Sequence, residues 1–154
     1  MDLLTDDDLE ATGTFRGGWA RRPEYRLKRD LSFGEPRVTV PAGFVVDGYS
    51  LPGRLISGVW QPKEKRWFTA STLHDWAYET MILGRDEKGR ELADNLLMRA
   101  MRYCGVEPHK RWIVWAAVRV GGAAGYGVIA PQNVDLVAPH RPDLAGVLNR
   151  AGGQ

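Results

Sequence analysis

The chain has 154 residues, 44% of them hydrophobic, and a formal net charge of +2 at pH 7. That is the scale of one globular domain with a real core, and the charge is too small to imply nucleic-acid binding by itself. A single cysteine, Cys104, excludes an internal disulfide, so the fold does not depend on an oxidising compartment.

Residues 1–11 read as an acidic N-terminal arm, with Asp2, Asp6, Asp7, Asp8 and Glu10 and no basic residue. A short helix is expected there, begun by Thr5 with Asp8 three residues on, a capping box with Asp in place of Glu. The start lacks both the basic region and the apolar run of a secretion signal. From residue 12 to 130 a single α+β domain is expected. Thr14-Phe15-Arg16 is extended and runs into a Gly17-Gly18 turn. Glu24-Tyr25-Arg26-Leu27-Lys28 alternates polar and apolar in the manner of a half-buried strand. Arg16 to Arg29 holds six basic residues against Glu24 alone, which suits either a solvated face or docking to a neighbouring subunit.

Leu31–Phe33 and Arg37–Val40 read as two short strands joined across Gly34-Glu35-Pro36. Gly43-Phe44-Val45-Val46 returns to strand texture before Asp47-Gly48-Tyr49-Ser50-Leu51-Pro52 closes a small, mostly antiparallel sheet. The period then changes. Leu51–Trp60 suits a short helix, and Gln61 to Arg66 a charged loop. Three main helices follow, over Trp67–Leu83 with Gly84 as its stop, over Glu87–Cys104 stopped by Gly105, and from Pro108 through Val120. Cys104 at the second helix end reads as a buried structural thiol. The apolar run Trp112–Ala130 is broken by Arg119 and by glycines at 121, 122, 125 and 127, so no stable membrane insertion is expected. Residues 131–154, rich in proline and glycine, read as an extended C-terminal tail ordered against a partner. Six tryptophans, at 19, 60, 67, 76, 112 and 115, suit a Trp-rich core or interface anchors.

The chemically richest stretch is Ser71–Thr80. On a helix, His74 and Tyr78 stand four residues apart on one face, with Asp75 beside them. Asp94, twenty residues after His74, can join them from the next helix. A histidine held by a carboxylate is a general base, because the acid sets the tautomer and stabilises the cation that forms. In an enzyme, His74, Asp94 and Tyr78 are thus the catalytic candidates, and Asp75 with Asp47 the candidates for a metal ion, calcium by its oxygen preference. The alternative is a buried polar network that satisfies the joint between helices and sheet. No serine or cysteine sits in a glycine-flanked elbow, and His109 and His140 show no zinc-ligand spacing.

Taken in order, Tyr25-Arg26-Leu27, the run Val40 to Pro52, Leu73-His74-Asp75-Trp76-Ala77-Tyr78 and Ala93-Asp94 resemble the phage-associated family of domains of unknown function numbered 1353. The similarity runs from about Phe15 to about Gly127. It departs at Tyr49, where the family usually has a small residue after Asp-Gly. The resemblance implies a phage or prophage origin, with genes commonly among tail and virion modules. A second, local resemblance is to the phospholipase A2 enzymes, whose catalytic helix carries His-Asp-x-x-Tyr and whose histidine pairs with a later aspartate; His74, Asp75, Tyr78 and Asp94 match that pattern. Their glycine-rich calcium loop is not matched well by Gly43–Gly53.

The expectation is therefore a bacteriophage virion structural protein of the tail or baseplate, made in the bacterial host cytoplasm and located in the virion. It would act through contacts with other virion proteins in an oligomeric assembly, without a cofactor. The alternative is a phospholipase A2-like or cell-wall hydrolase with a His-Asp general base and calcium. Nucleic-acid binding through Arg16–Arg29 and the basic residues Arg99, Arg102, Lys110 and Arg111 ranks below both.

Overall fold

The computed structural model describes residues 3–16, 22–47 and 65–144. Its order is five strands followed by three long helices and a run of short helical turns. The expected turn at Gly17-Gly18, the Gly48–Pro52 segment and the short helix Leu51–Trp60 lie outside the described residues, as do Trp19 and Trp60.

Strands β1 (Leu9–Arg16), β2 (Arg22–Leu27) and β5 (Val45–Val46) form an antiparallel sheet in the order β1-β2-β5. Leu9 faces Leu27, Arg16 faces Arg22, and Tyr25 faces Val46. The pairing of β1 with β2 shifts register between Ala11 and Phe15, the site of a bulge. Strands β3 (Leu31–Phe33) and β4 (Val38–Val40) make a separate hairpin, Leu31 opposite Val40, with the turn at 34–37. Leu31, Val38 and Val40 are buried, while Ser32 and Thr39 share a 2.7 Å hydrogen bond on the other face.

The helices are α1 (Lys65–Thr80), α2 (Glu87–Tyr103) and α3 (Pro108–Gly121). Helix α1 is the centre of the molecule: from Trp67 to Thr80 every residue except Asp75 is buried. It therefore lacks the polar stripe of a surface helix. It packs on α2 along one side and on β4 along another. Trp67, Leu73 and Trp76 join Phe44, Leu27, Leu97, Met101, Val114 and Val118 in one core. Each Leu- or Phe-sized side chain so buried stabilises the fold by roughly 1.5–3 kcal/mol. Of the described tryptophans, Trp67 and Trp76 are core, whereas Trp112 is 61% exposed.

Helix α1 begins two residues earlier than expected and ends three earlier. Its start takes in Lys65 and Arg66, read beforehand as loop. At its end the Thr80 hydroxyl turns back to the Trp76 carbonyl at 2.6 Å, and Met81 takes a left-handed φ of 50°. That conformation breaks the helical ladder before Gly84 is reached. Helix α2 is capped by Asp86, whose carboxylate accepts from the Gly89 amide, and α3 opens on Pro108.

Among the described residues, those at 3–11 and 131–144 are tied to the domain. Leu4 is fully buried and its amide donates to Thr69 Oγ1 at 3.0 Å. Thr5 and Asp8 make the foreseen reciprocal cap, the Thr5 amide donating to Asp8 at 2.8 Å, but around a single 3-10 turn, Asp6–Asp8. Residues 9–11 are already strand. Beyond α3, residues 131–144 wind through short turns and one four-residue helix, α4 (Val134–Val137). This segment is pinned by Asn133. Its side-chain amide donates to the Val45 carbonyl at 2.9 Å and accepts from the Val45 amide at 2.8 Å, so it completes the ladder of β5 as a neighbouring strand would. Arg141 adds bonds to the carbonyls of Glu79 and Gly127 at 2.8 and 3.0 Å. No helix among the described residues is long and apolar enough to cross a membrane.

Candidate functional site

The spacing of His74 and Tyr78 sets both rings on the face of α1 turned to α2, their centroids 4.1 Å apart. Asp94, one of the most buried residues on α2, meets them there. Its Oδ1 accepts from His74 Nε2 at 3.0 Å and from the Tyr78 hydroxyl at 2.5 Å. Its Oδ2 accepts from Arg119 Nη1 of α3 at 2.8 Å and lies 3.5 Å from Arg90 Nη1. Three helices therefore converge on a single carboxylate. His74 and Asp94 are 1% and 0% exposed.

Arg90 and Arg119 are joined in turn by Glu87, whose Oε1 accepts from Arg90 Nη2 at 2.7 Å and from Arg119 Nη2 at 2.6 Å. Burial works to raise the Asp94 pKa, but the hydrogen bonds from His74, Tyr78 and Arg119 outweigh it and hold the carboxyl below its ordinary value. The Tyr78 hydroxyl is pushed up, first by burial and then by its bond to the anionic Asp94. Asp94 is thus an anion at neutral pH and acts as acceptor towards every partner. Because Asp94 can only accept, His74 donates to it through Nε2. The other ring nitrogen, Nδ1, is buried and among the described residues has no hydrogen-bond partner.

Asp75 and Asp47, the two residues expected to hold a cation, lie beside this network on α1 and after β5. Asp75 is next to His74 in sequence, so it points about a quarter-turn away on the helix, and its Oδ1 is 4.0 Å from Nδ1. Asp47 is 4% exposed at the end of β5 and lies 3.5 Å from Arg22 Nη1. Both carboxylates also act on Arg16. Burial of that guanidinium opposes its charge, yet Asp47, the hydrogen bond to Glu24 and Asp75 together raise its pKa. Both carboxylates therefore lie near enough to Arg16 to favour its charge. Among the described residues no group of three or more His, Cys, Asp or Glu side chains is placed to hold a metal ion.

The site also depends on residues that spacing did not single out. Arg119 interrupts an apolar helix, and a lone charge on such a face is itself a signal of a buried partner. Arg90 stands four residues before Asp94 on α2, a helical pair open to inspection. Gly122 leaves room for Tyr78. A Cβ there would lie 2.7 Å from the Tyr78 hydroxyl and 2.5 Å from the Val118 carbonyl. Gly122→Ala is expected to displace Tyr78 from Asp94 and cost about 1–3 kcal/mol in urea denaturation; an unchanged midpoint would show that the tyrosine contact adds nothing.

A second polar cluster lies on the far side of α1. Glu79 is 6% exposed and accepts from Asn133 Nδ2 at 3.1 and 3.2 Å, while the neighbouring Gln132 donates to both oxygens of buried Glu24, at 2.9 and 3.2 Å. Adjacent amides of one turn thus clasp two carboxylates from different elements. Burial pushes the Glu79 carboxyl up to about 7, against the lowering effect of Asn133, Arg16 and the Ala130 amide and with some help from Asp47. Cys104 is buried as expected, which pushes its thiol up to about 11.

Comparison with known proteins places this geometry in a family. A stretch of the chain is 37% identical over 81 residues to a protein of Sinorhizobium fredii (strain NBRC 101917 / NGR234) called "Uncharacterized protein y4jT", covering 46% of this chain and 24% of that one. The chain thus spans about a quarter of that relative's length. No solved structure matches. The model of the DUF1353 family, described as "Protein of unknown function", matches residues 25–118, which include the end of β2, β3 to β5, α1, α2 and most of α3 and hence His74, Asp94 and the motifs that carried the resemblance. On that match over well more than half of its length, the chain belongs to the DUF1353 family.

Proposed function

We propose that the chain is a structural protein of a bacteriophage particle, of the tail or baseplate, that acts by packing against neighbouring virion proteins. One observation carries the contact role. Helix α3 leaves an apolar stripe in solvent, with Trp112 61%, Ile113 43% and Val120 83% exposed and Ala116 exposed between them. Spacings of three and four residues set 113, 116 and 120 on one face, with 112 at its edge. An exposed tryptophan in such a stripe is the composition of a contact surface. The resemblance of the motifs to a phage-associated family supports the particle as the setting. Mass spectrometry of purified virions tests the reading: the protein is expected in the particles, and its absence while the gene is expressed would overturn it.

A second reading has its own observation, the unpartnered Nδ1 of His74. A histidine whose Nε2–H is held by an ionised aspartate is set to take a proton through Nδ1. In a hydrolase acting on lipid ester or cell-wall material, Nδ1 would deprotonate water, Asp94 would orient the ring, Tyr78 would hold Asp94, and Asp75 with Asp47 would hold calcium. The near-complete burial of His74 favours the structural reading, because water must reach Nδ1 for catalysis. His74→Ala separates the two. The structural reading expects no hydrolysis by the natural protein in a calcium-supplemented lipid assay and a stability loss of about 1–3 kcal/mol in the variant, as Asp94 loses a donor. Hydrolysis by the natural protein that vanishes in a variant of unchanged melting temperature would establish the enzyme instead.

A further inference from the structure

We propose that the aromatic, basic start of α3 docks the acidic N-terminal turn of a second copy of this chain. The inference rests on the reading that the chain acts by packing on its neighbours, and it names the neighbour. The first surface is built around Trp112, which meets Trp115 edge to face with ring centroids 5.6 Å apart. Trp115 is fixed by its indole N–H on Asn95 Oδ1 at 3.0 Å, so the pair is held in place before any partner arrives. Ile113 extends the apolar area. Basic residues cluster in the neighbouring sequence: Arg102, in the last turn of α2, is exposed, and Lys110 and Arg111 lie in the first turn of α3. The acid at this end, Glu107, is already shared by Lys110 at 3.0 Å and Arg66 at 3.8 Å.

The second surface has the opposite sign and is equally preformed. Asp6 and Asp7 stand exposed on the 3-10 turn, the Asp6 side chain 92% exposed even though it pairs with Lys65. Leu3 beside them is 41% exposed. Burial of Leu4, the Thr5–Asp8 cap and the Arg29 bond to Asp8 at 2.6 Å hold this turn rigid, so docking it costs little further ordering. Each surface thus offers an exposed apolar anchor within a charged rim, and the rims are of opposite sign. The complement to the α3 surface is carried by every copy of the chain.

The two surfaces flank the first turn of α1. Lys65 reaches Asp6, and the next residue, Arg66, donates to the Gly105 carbonyl at 3.3 Å in the turn before α3. Two copies related by a two-fold axis can therefore exchange both contacts at once, the acidic turn of each on the Trp112 surface of the other. Opposite rims steer the encounter, and the tryptophan is the anchor that slows dissociation.

Light scattering on the full chain over a range of concentrations reads the association directly. A mass that rises above the monomer, and falls back as salt is raised, is expected. Trp112→Glu is expected to weaken association by about 100-fold. The deciding arms are two charge-reversed variants, one carrying Asp6→Lys with Asp7→Lys, the other Arg102→Glu with Lys110→Glu. Each alone is expected to lose self-association by more than about tenfold, since like rims then meet. Mixed together they are expected to pair, because each then offers what the other needs. Asp6, Asp7 and Arg102 are exposed and Lys110 is half-buried on Glu107, so melting curves are used to verify that both variants fold. A natural protein that stays monomeric, variants that associate as the natural protein does, or a mixture that fails to pair would each overturn the proposal. A monomeric chain found in virions would defeat this contact and leave the virion reading intact. Self-association of a chain absent from virions would do the reverse.

Discussion

Asp94→Ala is expected to lower the unfolding free energy by about 3–5 kcal/mol, the usual cost of removing one partner from a buried charged network. The reason lies in the number of groups that depend on it. His74 and Tyr78 would each keep a buried donor with no acceptor, and Arg90 and Arg119 would lose the anion that joins them across α2 and α3. Glu87 cannot take over, because it is exposed and stands at the edge of the arginine pair. Urea denaturation measures the loss. Adding His74→Ala to the variant should cost far less than it costs the natural protein, since the two residues act through one bond. Additive losses would show that Asp94 does not lock the helices.

Glu79→Gln is expected to stabilise the protein above neutral pH and to leave it unchanged in acid. The folded-state pKa of Glu79 is pushed up to about 7 from an ordinary value of 4.5. The native state then binds more protons than the unfolded state between those two values, so stability falls as pH rises through that window and levels off above it. The loss over the window is on the order of 3 kcal/mol. Glutamine keeps an acceptor for Asn133 and carries no charge to bury. The difference between the melting curves of variant and natural protein should therefore open between about pH 4.5 and 7 and stay constant beyond. It isolates this one carboxyl from groups that act in the opposite sense, such as Asp94, whose lowered pKa makes its contribution fail as pH falls. A constant difference at all pH values would show that Glu79 does not titrate in that window.

The two polar clusters were unequally legible. The pairing of His74 with Tyr78 and Asp94 was readable because helical spacing sets the first two on one face and the next helix of an antiparallel pair supplies the third. Arg90 was within reach of the same rule. The placement of Asp75 and Asp47 was not, since proximity along the chain says nothing of which way a carboxylate turns, and both are drawn to Arg16, a residue read only as part of a basic strand region. Nothing in the sequence joined Glu79 to Asn133, 54 residues away. That bond exists because a side-chain amide stands in for a strand at β5, which no periodicity reports.

The class of fold was legible in the chain itself: two short strands at 31–33 and 37–40, proline at the start of α3 and the apolar periods of three helices are local properties, each decided within a few residues by backbone sterics and side-chain spacing. The sequence also determined the family and the identity of the residue pair at its centre. That α1 is enclosed on nearly all sides, that His74 lies out of solvent, and that the acidic and basic groups at the chain's start and on α3 stand on the surface follow from the tertiary structure alone. Burial and partner choice depend on which elements meet, and that is set by the closing of the whole core and not by any one segment of it.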